Sequence, residues 1–572
     1  MKLILRFLKP YWKSLIIILL AIIIDVLCFL LIPTITANMI NIAVQNGELN
    51  LIIKKGIVMF SISLISGLVA LLGSWICARL SSNIGRDIRN AIYDKSLAFS
   101  QSDFEKFGAA SMVTRTMNDV NIIQQGFVMF MQMIIPVPIT SVLGIYFAFR
   151  INKNMGFFFL IVIFFIMLIS IMIIKHAYPI YKKLQYFLDR MNVVLRENIT
   201  GVRVIRAFNK ENYEVNRMKK SFSDYAELSI KANYIFASLD SLGIIIINLA
   251  IVAIIYMGGN NIGRGAMQIG DIVAITEYFI MVLLYIIFAQ MVIILLPRAI
   301  ACLSRIYDIL SVTPKIIDGE KSDFLDISSE IIRLEDVNFS FGNADEYVLK
   351  KLSFSCKRGE TTAIVGGTGS GKSTIAKLIL RYYDINSGKI SLKNRDIREM
   401  PQKILRDSIS YVPQKAWLFS GTVADNLKYG NPNASEEEML NALNIAQANF
   451  INDLNSPVSQ GGTNFSGGQK QRLSIARAVI KKADLYIFDD SFSALDFKTD
   501  AALRKAIAKE IKDAAILIIA QRISTIINAE QIIVINDGEI AGIGRHDYLL
   551  KNCNVYKDIV ESQMKGENLN GK

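Results

Sequence analysis

Hydrophobic positions in the first half of the chain fall in long runs instead of the spaced stripes of a surface helix or the alternation of a half-buried strand. Six such runs, roughly 14–42, 55–79, 127–149, 155–176, 237–258 and 271–296, are each long enough to cross a hydrocarbon layer of about 30 Å. The connections near Asn46-Gly47, Asn152-Lys153 and Gly258–Gly270 are short, whereas those after the second and fourth runs are long, charged and helical in pattern. No glycine-rich breaker interrupts 80–125 or 180–236, so these helices are predicted to continue well past the membrane. They are predicted to turn back at short segments near Phe104–Ala110 and Gly201–Phe208. After Arg305 the pattern changes: Thr313-Pro314 and the polar stretch Asp318–Ser329 read as a linker, and beyond it strand-like runs alternate with helical ones. The predicted division is a helical membrane domain at 1–312, a linker at 313–330 and a mainly parallel α/β domain at 331–572.

Composition agrees with that division. The chain has 572 residues, 52% of them hydrophobic, too many residues for a single core. Its net charge of +13 raises the question of nucleic acid. The basic residues, however, gather beside the apolar runs: Lys2, Arg6, Lys9 and Lys13 before the first, Arg79, Arg86 and Arg89 after the second. Membrane orientation accounts for this, placing both termini and the long connections in the cytoplasm, with Arg150 and Lys153 mildly against the rule. The predicted partner is the lipid bilayer and not nucleic acid. The run Ser14–Pro33 is too long for a cleaved leader and reads as a retained first span. Five scattered cysteines and two histidines (His176 and His546) exclude a zinc site and a disulfide framework. Asp25 in the first span and Glu277 in the outer part of the sixth are candidates for cargo contact, because a membrane carboxylate is costly unless paired or wetted.

The chemistry lies in the second half. Strand Thr361–Val365 leads into Gly366-Gly367-Thr368-Gly369-Ser370-Gly371-Lys372-Ser373-Thr374 and then a helical run, which is the P-loop template in its required context. Backbone N–H groups of such a loop wrap phosphates, the lysine reaches the β- and γ-phosphates, and the serine hydroxyl meets Mg²⁺. ATP and Mg²⁺ are the predicted cofactors. Further on, Ser466-Gly467-Gly468-Gln469 precedes a helical run. With the P-loop, this segment resembles the ATP-binding cassette family, and six spans before one cassette is the layout of its half-size exporters. The resemblance implies two cassettes paired head to tail, so that Ser466–Gln469 serve the ATP held by the partner's P-loop. It implies adenine stacking by Phe341, Mg²⁺ sensing by Gln414, Mg²⁺ binding by Ser373 and Asp489, and a crossing loop at Ser493-Ala494-Leu495-Asp496. Gly201–Phe208 resembles the second coupling helix, and Thr114–Val120 flanks the first.

The pattern is broken at the hydrolytic positions. By the same resemblance, Asp490 stands where hydrolytic members carry the glutamate that polarises the attacking water, and Gln521 where they carry the histidine that contacts the γ-phosphate. An aspartate is one C–C bond, roughly 1.5 Å, shorter. A glutamine amide can donate a hydrogen bond but can neither titrate nor carry charge. Gln460 also stands where exporters usually have glutamate. Binding groups are kept while hydrolytic groups are altered. The expectation is therefore a bacterial plasma-membrane exporter subunit for amphipathic or hydrophobic drugs, contributing a degenerate site beside a partner with Glu and His. Alternatives are a lipid or peptide exporter of the same architecture, an active homodimer, or a regulatory ATP-binding membrane subunit.

Overall fold

In a computed structural model, described over residues 2–321 and 329–569 apart from Asn46, Glu48, Asn343 and Asp345, the chain separates into two compact units. One holds Met1–Leu97 and Gly108–Val312; the other holds Ala98–Phe107 and Thr313–Lys572. Asn46 of the first outer turn, most of the predicted linker (322–328) and the side chain of His176 lie outside the described residues.

The first unit is helical. Its six long helices are α1 (Trp12–Gln45), α2 (Leu49–Leu97), α3 (Pro136–Ile151), α4 (Lys153–Ala207), α5 (Glu211–Gly263) and α6 (Ile269–Leu310). Among the described residues, five helical stretches are long and apolar enough to cross a membrane; in α4 the apolar part is Lys153–Ile169. Helices α2, α4 and α5 have 49, 55 and 53 residues. At 1.5 Å per residue they extend about 75–80 Å, more than twice a bilayer core, as the unbroken patterns of 80–125 and 180–236 predict. Prolines 33, 179 and 297 sit inside α1, α4 and α6. The third apolar run is not one α-helix: Val120–Met129 passes into a π-turn at Phe130–Ile134 before α3. Pro136, at the start of α3, has no N–H to give to the ladder, and Ile135 N–H bonds the Phe130 carbonyl five residues back instead.

The two predicted turnaround segments behave differently. Near the first, a separate short helix, Gln101–Phe107, ends at Gly108, whose φ of 75° stops it. The second is corrected: Gly201–Ala207 is not a helix of its own but the last two turns of α4, and the chain reverses at Phe208–Lys210. Gly201 stays helical, and a single glycine costs a helix only about 1 kcal/mol, too little to end one of this length. The residue that turns left-handed is Asn209, at φ 51°.

Two polar pairs join neighbouring helices within the apolar runs. Ser66 Oγ donates to Asp25 Oδ1 at 2.6 Å, and Thr34 and Tyr278 hydroxyls meet at 2.6 Å. Glu277 is exposed. Below the spans, Arg305 on α6 donates two bonds of 2.7 Å to the buried Asp119.

The second unit is built on two large sheets, with a two-stranded ribbon, Gly421–Thr422 against Pro457–Val458, beside them. An antiparallel one has the order β2-β1-β4-β5, with β1 Glu330–Phe339, β2 Leu349–Lys357, β4 Ser387–Leu392 and β5 Arg395–Asp396. The other has the order β10-β9-β3-β8-β7-β6, with β3 Thr361–Gly366, β6 Ile409–Val412, β7 Leu485–Asp489, β8 Ala515–Ile519, β9 Gln531–Asn536 and β10 Glu539–Gly544. All its pairs are parallel except β9 with β10. Strands β7 and β8 are buried throughout, as continuous apolar runs require when both faces are covered. Alternate residues feed opposite cores: Val365, Phe488, Ile518 and Val534 one, Ile364, Ile487, Leu517 and Ile533 the other.

Candidate nucleotide site

Adjacent parallel strands bring their carboxyl ends to one edge, which is where open α/β sheets bind ligands. In register, Ile364 of β3, Ile519 of β8 and Asp489 of β7 stand level. The residues that follow each strand therefore converge: the P-loop after β3, Gln521 after β8, Asp490 after β7 and Gln414 after β6. Main-chain bonds fix the edge, from Asp490 N to Ile519 O at 2.8 Å and from Ala520 N to Ile364 O at 3.1 Å.

Within the P-loop, Gly369 and Gly371 take φ values of 85° and 93°, a left-handed backbone that a side chain would strain. Helix α7 (Lys372–Ile379) starts immediately after, so its free N–H groups and the positive end of its dipole face the loop. Lys372 is buried, and its Nζ donates to the Gly366 and Gly367 carbonyls at 2.9 and 2.6 Å. Burial pushes its pKa below the usual lysine range, against the opposing pull of Asp490 and Asp489. A third, longer bond of 3.5 Å runs to Ser370 Oγ, and a buried cation held by neutral oxygens alone is suited to receive an anion.

Ser373 Oγ donates to Asp489 Oδ1 at 2.8 Å, and Tyr411 donates to Asp489 Oδ2 at 3.3 Å. Burial pushes the Asp489 carboxyl up, the Ser373 and Tyr411 hydrogen bonds oppose the shift, and Asp490 adds to it. A hydroxyl and a buried carboxylate in contact are hard oxygen donors of the kind Mg²⁺ takes, the remaining positions being filled by water and phosphate. The residues present fit that ion, although among the described residues no cluster of three or more His, Cys, Asp or Glu forms a self-sufficient metal cage.

The two altered positions meet in space. Gln521 Nε2 and Gln414 Nε2 each donate to the same oxygen, Asp490 Oδ2, at 3.2 Å. Asp490 itself has φ 47°, a left-handed conformation that aspartate tolerates better than most residues. Its carbonyl accepts from Ser493 Oγ at 2.9 Å, which ties the crossing loop to the same residue. The carboxylate is thus held sideways by two neutral amides.

Phe341 follows β1 on the antiparallel sheet, 38% exposed, and its ring stands edge-on to Tyr383 with centroids 5.3 Å apart. Tyr383 in turn donates to Glu105 Oε1 at 2.9 Å, on the short helix Gln101–Phe107, which belongs to this same unit. Asp103, buried on that helix, accepts from the Lys315 N–H at 3.2 Å. Sequence reasoning missed both carboxylates, and no motif marks them. Ser466 caps α8 (Gly467–Val479) through a reciprocal pair with Gln469, Ser466 N to Gln469 Oε1 at 2.9 Å and Gln469 N to Ser466 Oγ at 3.3 Å. The signature's serine and first glycine are both exposed. Gln460 is exposed in the turn that precedes it.

A bundle of membrane-length helices joined to a P-loop sheet with a separate glycine-bearing helix tip defines a transporter driven by nucleotide. Profiles of the ABC transporter transmembrane region and of the ABC transporter cassette match residues 15–287 and 349–493. An uncharacterized ABC transporter ATP-binding protein of Mycobacterium tuberculosis is 36% identical over 562 residues, 97% of each chain. The protein YfiB of Bacillus subtilis, described in the same terms, is 33% identical over 98% of each. An ATP-dependent lipid A-core flippase of Desulfotalea psychrophila is 32% identical over 83% of this chain and 84% of its own. In fold, the chain is similar to a bacterial Atm1-family ABC exporter solved with ATP bound, at a TM-score of 0.80 and 21% identity, over 98% of this chain and 99% of that one. The chain belongs to the ABC transporter family, as a half-transporter of the exporter type whose cassette binds ATP and couples its hydrolysis to transport.

Proposed function

We propose that this chain is the degenerate-site subunit of a heterodimeric exporter, retaining ATP at its own P-loop while completing the working site of a partner. The observation that carries the reading is the Asp490 carboxylate, one methylene short and bonded to the amides of Gln414 and Gln521 at 3.2 Å each. A general base must lie within about 3.2 Å of the proton it takes, and a misplacement near 1 Å costs on the order of 100-fold. Neither amide can supply the charge or the titrating group that a histidine brings.

In this reading the P-loop residues Gly366 to Thr374 hold the phosphates, with Lys372 on the β- and γ-phosphates and Phe341 against the adenine. Ser373, Asp489 and Gln414 hold Mg²⁺, which screens the phosphate charge. Ser466 to Gln469 face the ATP of the partner subunit. The cassette and both termini face the cytoplasm of a bacterial cell in this reading, which is supported by the basic residues that flank the first two apolar runs. Cargo is amphipathic or lipid-like, a class supported by the relatives named lipid A-core flippases and by a paired carboxylate, Asp25, within the spans.

Purification from native membranes through a tag on this chain tests the proposal. A second six-span cassette chain with Glu and His at the corresponding positions is expected in equal amount, and Asp490→Asn is expected to leave turnover of the pair nearly unchanged. Brisk ATPase and transport by the chain reconstituted alone, abolished by Asp490→Asn, would establish the active homodimer instead.

A further inference from the structure

The loop that carries Gln521 is held from behind by a helix that no nucleotide motif marks. Gln563, on the C-terminal helix α11 (Asn554–Leu569), accepts from Ile523 N–H at 2.8 Å and donates to the Gln521 carbonyl at 2.7 Å. A single amide therefore grips both main-chain groups that flank Arg522. The far side of the loop is held by Arg504 on α9 (Phe497–Glu510), whose Nη1 donates to the Ser524 and Thr525 carbonyls at 3.0 Å each. Arg504 is itself fixed by two bonds of 3.0 Å to Asp500. These carbonyls belong to the four-residue helix α10 (Ile523–Ile526), so the second half of the loop is rigid without Gln563. Gln521 is not: it precedes α10, and the bond from Gln563 to its carbonyl is what fixes its backbone.

We propose that Gln563 is a positioning residue through which the C-terminal helix sets how closely the Gln521 side chain approaches the terminal phosphate, and hence the preference of this chain for ATP over ADP. The proposal rests on the reading that Gln521 faces the γ-phosphate. The geometry supports a short lever: Gln521 reaches Asp490 Oδ2 at 3.2 Å, already at the outer limit of a good hydrogen bond. A backbone drift of about 1 Å takes such a donor out of range. Only the nucleotide with a third phosphate loses by it, and one net hydrogen bond corresponds to about fivefold in affinity.

The test uses the full-length chain in lipid nanodiscs, with Mg²⁺ and either ADP or a non-hydrolysable ATP analogue, reading Kd by calorimetry. Gln563→Ala is expected to weaken the analogue about fivefold and ADP less than twofold. Gln563→Glu keeps the acceptor for Ile523 N–H but cannot donate to the Gln521 carbonyl, so it too is expected to lower the ratio. It carries the test if the alanine variant fails to fold. In a Gln521→Ala background, Gln563→Ala is expected to add nothing, as for residues acting through one another. Equal weakening of both nucleotides, or effects that add across the double variant, would show a merely structural role and overturn the proposal. If Gln521→Ala lowers the ratio and the Gln563 variants do not, the proposal fails alone. If Gln521→Ala leaves the ratio unchanged, the reading of Gln521 fails with it.

Discussion

Restoring the two altered residues should convert a retaining site into a cleaving one, and the structure says why neither change suffices alone. Asp490→Glu extends the carboxylate by roughly 1.5 Å, one C–C bond. A correction of that size is worth on the order of 100-fold in rate, or about 2.7 kcal/mol. The longer side chain must also leave the amides of Gln414 and Gln521, each now at 3.2 Å from Asp490 Oδ2. At about 1 kcal/mol net per hydrogen bond, that retention removes most of the gain. We therefore predict that Asp490→Glu alone raises cleavage at this site only about threefold, a residual of roughly 0.7 kcal/mol. The double variant Asp490→Glu/Gln521→His, which removes one restraint and adds a titrating group, should approach 100-fold, more than the product of the two single changes. The assay is photolabelling of the native complex with an α-labelled azido-ATP, scoring the ratio of diphosphate to triphosphate on this chain. A full gain from Asp490→Glu alone would show that the amides do not restrain the carboxylate. No gain from the double variant would show that the short side chain is not what limits cleavage.

Three further predictions follow from the same geometry. Ser466→Ala should depress hydrolysis by the pair at least tenfold, although Ser466 sits in the weakly hydrolytic chain; an unchanged rate would refute the head-to-tail assignment. Arg305→Ala leaves the buried Asp119 without its two bonds of 2.7 Å. Because the Arg305 side chain is 48% exposed, the cost should be about 2 kcal/mol, below the range for a fully buried pair, and visible as a lower Tm in detergent; an unshifted Tm would refute it. Burial raises the Asp489 carboxyl above its usual 3.8, so a proton competes with Mg²⁺ there. An acid raised in this way favours the fold when protonated and loses that contribution as pH rises through the raised value. The stabilisation by Mg²⁺ should accordingly be largest at neutral pH and fade on acidification before about pH 4 is reached; a Tm increment that stays constant to that point would contradict it.

What the sequence could disclose was whatever chemistry writes locally. The P-loop announces itself because its glycines, lysine and serine must be consecutive to wrap a phosphate. The apolar runs announce the spans because hydrocarbon demands about twenty such residues together. The core strands β7 and β8 show as short apolar runs because both of their faces are covered. The end of α4 carries no glycine or proline to mark it, since the reversal rests on Asn209 at φ 51°, and so Gly201–Ala207 reads as a helix of its own only by resemblance. The contact of Gln521 with Asp490 was invisible because it depends on the strand order β3-β8-β7, which places two loops side by side. Glu105 and Gln563 were out of reach altogether: their partners lie 278 and 42 positions away in the chain, and an isolated carboxylate or amide carries no periodic signal.

The excursion Ala98–Phe107 gives the cassette a plural attachment. The polypeptide passes between the two units at Leu97, again at Gly108 and finally at Val312, so three strands of backbone tie them where one would have sufficed. A cassette excised at Thr313 would leave behind the decapeptide that supplies the acceptor for Tyr383 and the anchor for Lys315. Fragments cut at the obvious seam should for that reason be poor surrogates for the cassette in its own chain.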